Sequence, residues 1–439
     1  MIFIKIWKNT KYLNDGDILL IDNENINYID EDVINKACKI VTTLDNDFNK
    51  ETIKVKSLKE YLYSNYYEKI KDIKLVGITG TNGKTTSCYL IYQMLNYLGY
   101  KTAYIGTIGY YVDDKKMDLE NTTPDFDIMY NLILDAKEKD CKYVVLEASS
   151  HALKQDRLYK LLFDVIGVTN VTEDHLDYHK NMKDYIESKK LILNKLKNNG
   201  ICILNKKDKY YKKFINKNNN NIIIGKDYKI IKIVQTLNGN KIFLDDIILN
   251  TSLVGKFNAY NYVLAYLVIK YLGLDTNKII QNSKSFVHPK GRMEKINYKD
   301  NVIFIDYAHT PDAVLNVLKT VRKIKNNGII TIIGCGGNRD KLKRKKMGYI
   351  ASKYSNYVIF TNDNPRYENE EDIMNDILKK AKKNYEVIYD RKSAIIKAIS
   401  LLKNNNILLI LGKGHEEYQI INDEKIYFSD FEVVNSFIK

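Results

Sequence analysis

The stretch Lys74–Thr86, KLVGITGTNGKTT, decides how this chain is read. Its apolar run predicts a strand, its centre is dense in glycine and threonine, and a helix-forming segment, 84–98, follows. Strand, glycine loop and helix form the setting of a phosphate loop. N–H groups at the helix start bind phosphate oxygens, and glycine lets the backbone come close. The usual spacing is Gly, four residues, then Gly-Lys-Ser/Thr. It ends correctly at Gly83-Lys84-Thr85, yet Ile78 occupies the leading glycine's slot, between Gly77 and Gly80. Lys84 is placed to reach terminal phosphates, and the Thr85 hydroxyl to ligate magnesium.

Working outward, 439 residues allow two or three domains with ample cores. An apolar fraction of 45% with 28% charge is ordinary for a soluble protein, and no apolar run has the length of a bilayer span, so no membrane partner is expected. The start, MIFIKIWKNT, reads as a strand and not as a signal peptide. Five cysteines, none in a C-x-x-C pair, argue against a disulfide framework or a zinc knuckle and fit a reducing cytoplasm. The net charge of +15 points toward polyanions. Because lysines are spread along the whole chain, a polyanionic small substrate is preferred and no nucleic acid is expected.

The expected fold class is α/β in three domains. Residues 1–70 form a small N-terminal domain of short strands. Residues 71–288 form a central P-loop ATPase-type parallel sheet, with strands at YVVLEAS and FDVIGVTNV and a helix over 180–197. Residues 289–439 form a Rossmann-like domain with strands NVIFIDYAHT, GIITIIGCGG, YVIFTNDNPR, YEVIYD and NILLILGKGHE. Alternating strands and helices imply parallel pairing with right-handed crossovers. Residues 206–250 read as an insertion of hairpins and loops, with Asn218–Asn221 in a surface loop. VHPKGRME, 287–294, reads as the hinge.

Polar clusters follow the strands. Glu147 ends one, in a position to hold a metal facing the phosphates, with Ser149, His151, Gln155 and Arg157 just beyond; Ser149 or Ser150 also serves as a helix N-cap. His175 and His179, at i and i+4, would share a helix face, but no third ligand accompanies them, so His175 near magnesium is preferred to zinc. In the C-terminal series the clusters are DYAHTPD (306–312), GGNRDK (336–341), DNPRYE (363–368) and GKGHEEYQ (412–419), where ligands of an open parallel sheet sit. Arginine is scarce, so Arg339 and Arg366 suit bidentate recognition of a carboxylate.

TGTNGKTT, NTTPD (121–125), EASSHAL, NVTEDHLDYH and GKFNAYN (255–261), in that order, resemble the Mur ligases of peptidoglycan synthesis over roughly 74–439. The resemblance implies that the displaced glycine is the family's own form of the loop. It implies ATP bound by Gly80, Thr81, Asn82, Gly83, Lys84, Thr85 and Thr86, with Asn258, Asn261 and Asp306 lining the nucleotide site. Magnesium would be held by Thr85, Glu147 and His175, and by Lys189 as a carbamate. From the residues alone, Lys189 is a solvated helix lysine like Lys190. The resemblance further places Thr10, Asn121, Thr122, Thr123, Ser149, Gln155 and Arg157 at a UDP-sugar peptide. Arg339, Asp363, Asn364, Pro365, Arg366, Gly412 and Glu416 would hold the incoming amino acid.

Asp-Asn-Pro-Arg with Glu two places on is similar to the branch that adds meso-diaminopimelate to UDP-MurNAc-L-Ala-D-Glu. Lysine lacks the second carboxylate that Arg366 would meet, whereas an analogue such as lanthionine keeps it. The reaction implied is phosphoryl transfer to the D-glutamate γ-carboxylate, followed by amine attack on the acyl phosphate, by a monomer. The family's Asp-Ser-Arg ahead of Gly-Asp-Leu-Phe is worn here to NTKYLNDGDILLI (9–21), with Thr10 at the serine. The rivals are a folylpolyglutamate synthetase, disfavoured by NTTPD with DNPR, and a nucleic-acid-dependent P-loop ATPase.

Overall fold

Apolar runs punctuated by Asn, Asp and Gly build five sheets, three of them mainly parallel, in the computed structural model, which describes residues 4–113, 115–218, 220–324 and 327–438. The first is a four-stranded parallel sheet in sequence order: β1 (Ile6–Trp7), β2 (Ile18–Ile21), β3 (Lys39–Thr42) and β4 (Thr52–Lys54). Short helix α1 (Glu31–Lys36) joins β2 to β3, and α2 (Leu58–Ile70), N-capped by Ser57, leads out of the domain. The strand expected at the N-terminus is confined to Ile6–Trp7, its first three residues lying outside the described set.

The central sheet has eight strands: β5 (Lys74–Thr79), β6 (Thr102–Gly106), β7 (Gly109–Val112), β8 (Lys115–Met117), β9 (Tyr143–Glu147), β10 (Phe163–Val168), β11 (Leu196–Asn205) and β12 (Asn220–Ile224). Their order is β12-β11-β10-β5-β9-β6-β7-β8, parallel except for the β6–β7–β8 meander. Helices α3 (Lys84–Tyr97), α4 (Phe126–Glu138), α5 (Ser150–Lys154) and α6 (Met182–Lys190) connect these strands. Two expectations are corrected here. The helix over 180–197 stops at Lys190, and Leu196 already starts a strand. Residues 220–224 are an edge strand of the main sheet, so Asn220 and Asn221 are not in a loop; Asn219 lies outside the described residues. Short apolar runs such as NIII are ambiguous until a neighbouring strand accepts them.

An antiparallel sheet, β13 (Ile230–Thr236), β14 (Gly239–Leu244) and β15 (Ile247–Thr251), follows, then α7 (Lys256–Tyr271) and α8 (Thr276–Gln281). α7 packs on α3 and buries most of its length, as its apolar sequence requires. The last sheet comprises β16 (Glu294–Tyr298), β17 (Asn301–Asp306), β18 (Gly328–Ile333), β19 (Tyr357–Phe360), β20 (Tyr385–Val387) and β21 (Asn406–Leu411). Its order is β16-β17-β21-β18-β19-β20, parallel except for edge strand β16. Helices α9 (Pro311–Arg322), α10 (Leu342–Tyr354), α11 (Glu370–Leu378), α12 (Arg391–Ser400) and α13 (Asp430–Ile438) cover its faces, and hairpin β22 (Tyr418–Ile421) and β23 (Glu424–Tyr427) follows β21. Separate apolar clusters fill the two faces of this sheet. No described helix is long and apolar enough to cross a membrane.

Candidate active site

The loop after β5 explains its own spelling. Ile78 is a fully buried strand residue. Gly80 has φ +145°, and a Cβ there would lie 1.9 Å from Thr169 Oγ1, so the glycine is required two places later than usual. The loop is laced to the segment after β10. The Thr81 amide donates to Asn170 O at 2.7 Å, the Asn82 amide to Asn170 Oδ1 at 3.0 Å, and Thr169 Oγ1 to Asn82 O at 2.7 Å. Thr86 and Gly83 face the same cavity. Lys84 folds over the loop, donating to the carbonyls of Gly80 and Thr81 at 3.0 Å, and burial lowers its pKa.

Glu147, at the end of β9, gathers hydroxyls. Oε2 accepts from Thr85 Oγ1 at 3.0 Å and Thr107 Oγ1 at 3.1 Å. Oε1 accepts from Tyr104 at 2.6 Å and the Thr107 amide at 2.9 Å. A carboxylate facing three hydroxyls is an all-oxygen donor set, the chemistry that magnesium prefers. Thr107 was missed in the sequence, since the β6–β7 turn carries no motif, and it also meets Thr122 at 3.1 Å.

His175 and His179 do not share a helix face: α6 begins only at Met182, and His175 has φ +53°. His179 is buried against Ser150 Oγ at 3.0 Å and lies 3.5 Å from Asp184. His175 is half-buried, 3.3 Å from Asp174, and burial holds its imidazole down at about 4. It is therefore neutral near pH 7, as a metal ligand must be. Lys189 is not the solvated lysine that its neighbour is. It is 1% exposed, donates to Gly80 O at 2.7 Å and lies 4.5 Å from the centre of the Tyr185 ring. Burial, and then the Lys84 charge, lower its pKa well below the ordinary value. A buried amine beside the phosphate loop, its charged form disfavoured, fits a carbamate.

A cavity of about 500 Å³ opens between the central and C-terminal sheets, lined by Asn82, Gly83, Asn258, Asn261, Arg292 and Asp306 among others. Asn261 Nδ2 donates to Asn258 Oδ1 at 3.0 Å. Asp306 is committed inward, its oxygens taken by the Met293 amide at 2.7 Å and the Ala308 amide at 2.8 Å; burial raises its pKa. It thereby fixes the segment carrying Arg292. That guanidinium stacks 4.5 Å from the Tyr307 ring centre and reaches Thr85 Oγ1 at 3.3 Å, with a buried, unpartnered Nε. Its only trace in the sequence was its place in the hinge.

A second cavity, about 690 Å³, lies between the N-terminal and central domains, lined by Lys8, Asn9, Asn25, Asp125, Gln155 and Arg157 among others. Thr10 is not in its lining, and Asn121 is exposed nearer the β8 end. Arg157 Nε donates to Gln155 Oε1 at 2.8 Å, and NH1 to Thr123 O at 2.8 Å. Thr123 Oγ1 donates to Glu147 O at 2.6 Å and accepts the Ser149 amide at 3.0 Å, linking this cavity to the backbone of Glu147. Ser149 Oγ also caps α5.

The four C-terminal clusters converge beyond the strand ends. Arg366 has φ +54° and donates to Gly337 O at 3.0 Å. Burial, and then the Arg339 charge, lower its pKa. Among the described residues neither guanidinium makes an ion pair. Asn364 Nδ2 donates to Glu416 Oε2 at 2.9 Å. Gly412 has φ +114°, and a Cβ there would stand 2.5 Å from Asp363 Oδ2. Pro365 accepts the Glu368 amide. Glu368 turns away from the cleft and meets fully buried Arg344 at 2.7 and 2.8 Å, tying the loop after β19 to α10. Arg344 sits in the lysine-rich run KLKRKK, which hid it.

Residues 78–269 match the Mur ligase middle domain, and residues 291–414 the Mur ligase glutamate ligase domain. The chain belongs to the Mur ligase family, a family of ATP-dependent ligases. Among its relatives is UDP-N-acetylmuramoyl-L-alanyl-D-glutamate–2,6-diaminopimelate ligase of Aquifex aeolicus, 40% identical over 375 residues, covering 83% of this chain and 77% of the relative. Ligase 1 of that name from Clostridium acetobutylicum is 38% identical over 392 residues, 86% and 80% of the two chains. A solved structure of a ligase of that name superposes with a TM-score of 0.66 at 27% identity, over 99% of this chain and 94% of the other.

Proposed function

We propose that this chain joins meso-diaminopimelate to the D-glutamate γ-carboxylate of UDP-MurNAc-L-Ala-D-Glu at the expense of ATP, as a cytoplasmic monomer in peptidoglycan precursor synthesis. The observation that carries the amino-acid choice is the pair Arg339 and Arg366, which flank Gly336 and make no ion pair among the described residues, with the carboxylates of Asp363 and Glu416 close to Arg366. Such a site matches a distal amino-carboxylate: the guanidiniums take the carboxylate and Glu416 the ammonium.

In this reading Gly80–Thr86 cradle the phosphates, while Asn258 and Asn261 face the nucleoside. Lys84 and Arg292 stabilise charge on the transferring phosphoryl group. Thr85 and Glu147, and His175 with carbamylated Lys189, would hold magnesium, which would supply further charge neutralisation. The sugar peptide lies along the second cavity, with Gln155 and Arg157 in its wall. Thr122, Thr123 and Ser149 continue toward Glu147, so the γ-carboxylate arrives beside the phosphate loop. The acyl phosphate forms as the carboxylate oxygen attacks phosphorus and ADP departs. The neutral amine of diaminopimelate then attacks the acyl carbon, and phosphate leaves.

The test uses purified protein with ATP, UDP-MurNAc-L-Ala-D-Glu and one amino acid at a time, scoring phosphate release and tripeptide. Product is expected with meso-diaminopimelate and at most a trace with L-lysine. Tripeptide from lysine but none from diaminopimelate would overturn the assignment of Arg366; lanthionine turnover alongside diaminopimelate would widen the substrate to its analogues.

A further inference from the structure

Lys413 has no place in the chemistry above, yet it is fully buried and aimed at the amino-acid site. Its Nζ donates to Asn364 Oδ1 at 3.0 Å and to Glu416 Oε2 at 3.0 Å, with the Tyr418 ring centre 5.6 Å away. The Ile420 amide donates to the same Asn364 oxygen at 3.0 Å, while Asn364 Nδ2 donates to Glu416 Oε2 at 2.9 Å. An amide can turn end for end, so its orientation is set by its partners. Two donors meet Oδ1 and an acceptor meets Nδ2, and only one orientation satisfies all three.

The consequences fall on what the site can offer a ligand. Asn364 Oδ1 is saturated, so the group Asn364 has left to present is its second N–H. Glu416 Oε2 is taken by both Lys413 and Asn364, whereas among the described residues Oε1 has only the Tyr307 hydroxyl, at 3.5 Å. The pair therefore offers one donor and one acceptor in fixed order. That order suits a zwitterion whose carboxylate faces the Asn364 and Arg366 side and whose ammonium faces Glu416.

We infer that Lys413 is a positioning residue for amino-acid selection: it locks the Asn364 amide and the Glu416 carboxylate in the polarity that reads the distal amino-carboxylate of the incoming amino acid. This rests on the diaminopimelate reading above. The hydrogen bonds of Lys413 Nζ go to Asn364 and Glu416 and none of those described reaches the phosphate loop, so its effect belongs to one substrate.

The experiment measures KM for meso-diaminopimelate, ATP and the UDP-dipeptide, with melting temperature, in the parent, Lys413→Met and Lys413→Gln. Gln keeps an N–H donor, one bond shorter, without the charge. In Lys413→Met the KM for diaminopimelate is expected to rise at least tenfold and the preference over lysine to fall, with the other two KM values within twofold. Lys413→Gln should lie between, three- to fivefold above the parent. A diaminopimelate KM within twofold of the parent, or all three KM values rising together with a lowered melting temperature, would overturn the inference. If Lys413→Met does not fold, Lys413→Gln decides alone, an unchanged diaminopimelate KM counting against it. A parent that makes no tripeptide from diaminopimelate would instead remove the underlying reading.

Discussion

Lys189 and Lys190 are adjacent and identical in type, and the fold gives them opposite fates. Lys190 pairs with Glu187 at 2.7 Å near solvent, whereas Lys189 turns inward to Gly80 O. Burial and the Lys84 charge disfavour the ammonium form of Lys189, so of the two it is the one suited to the proposed carbamate. Lys189→Ala should lose tripeptide synthesis by at least a hundredfold, partly restored by short carboxylates such as formate or acetate. Unchanged turnover in that variant would remove the carbamate from the site. Arg292 makes a second prediction at this scale. It reaches the Thr85 hydroxyl and keeps an unpartnered buried Nε, so Arg292→Met should lower kcat by roughly two orders of magnitude, in line with lost preorganised charge. A kcat within threefold of the parent would show that its reach to Thr85 is incidental.

At the scale of elements, the phosphate loop works because β5, β10 and α3 hold it from three sides. Gly80→Ala would drive a Cβ into Thr169 Oγ1 and impose a backbone strain of about 1–3 kcal/mol. The expected result is ATP affinity lowered more than tenfold with unchanged far-ultraviolet circular dichroism; normal ATP affinity would contradict the tight lacing of loop to β10. Here the sequence was legible, since strand, loop and helix are local and each has its own signature. β12 was not legible. Its pattern is a short apolar run, and only the pairing of Asn220–Ile224 with Ile201–Asn205 makes it part of the main sheet. The helix ahead of it was read too long for the same reason: LILNKLKNNG has helical periodicity, and the sheet claims its second half as β11.

At the scale of the molecule, polar contacts cross between the central and C-terminal domains. Asn82 Nδ2 donates to Asp312 Oδ2 at 3.1 Å, Lys346 pairs with Glu173 at 2.9 Å, and Arg292 reaches Thr85. Asp312→Ala should raise the KM for ATP several-fold while leaving that for the UDP-dipeptide alone, because only the nucleotide cavity is bounded by this contact. Equal effects on both would place the contact elsewhere in the cycle. Burial lowers the pKa of all six histidines, to about 3 for His288 and His415 and about 4 for His151, His175 and His309. Between those values and 6.5 the unfolded chain binds more protons, so stability rises with pH through the window and is lost on acidification. Buried carboxylates such as Asp306 and Asp127, raised by burial, act in the opposite sense just above pH 3.8. The melting temperature should therefore fall steadily from pH 7 to 5; a level profile would contradict the buried neutral histidines.

The sequence by itself determined the α/β class, the phosphate loop with its displaced glycine, and the family, because these are carried by contiguous motifs whose chemistry is local. It also named some residues that line the two cavities, among them Asn82, Asn258, Asn261, Gln155 and Arg157. Only the tertiary structure decided which of two neighbouring lysines is buried, that Thr107 completes the hydroxyl set around Glu147, and that Asp306 holds the hinge segment in place of solvent. It alone joined Arg344 to Glu368 and Lys413 to Asn364 and Glu416. Burial and partner distance are properties of chain segments far apart in sequence, and no spacing along one strand encodes them.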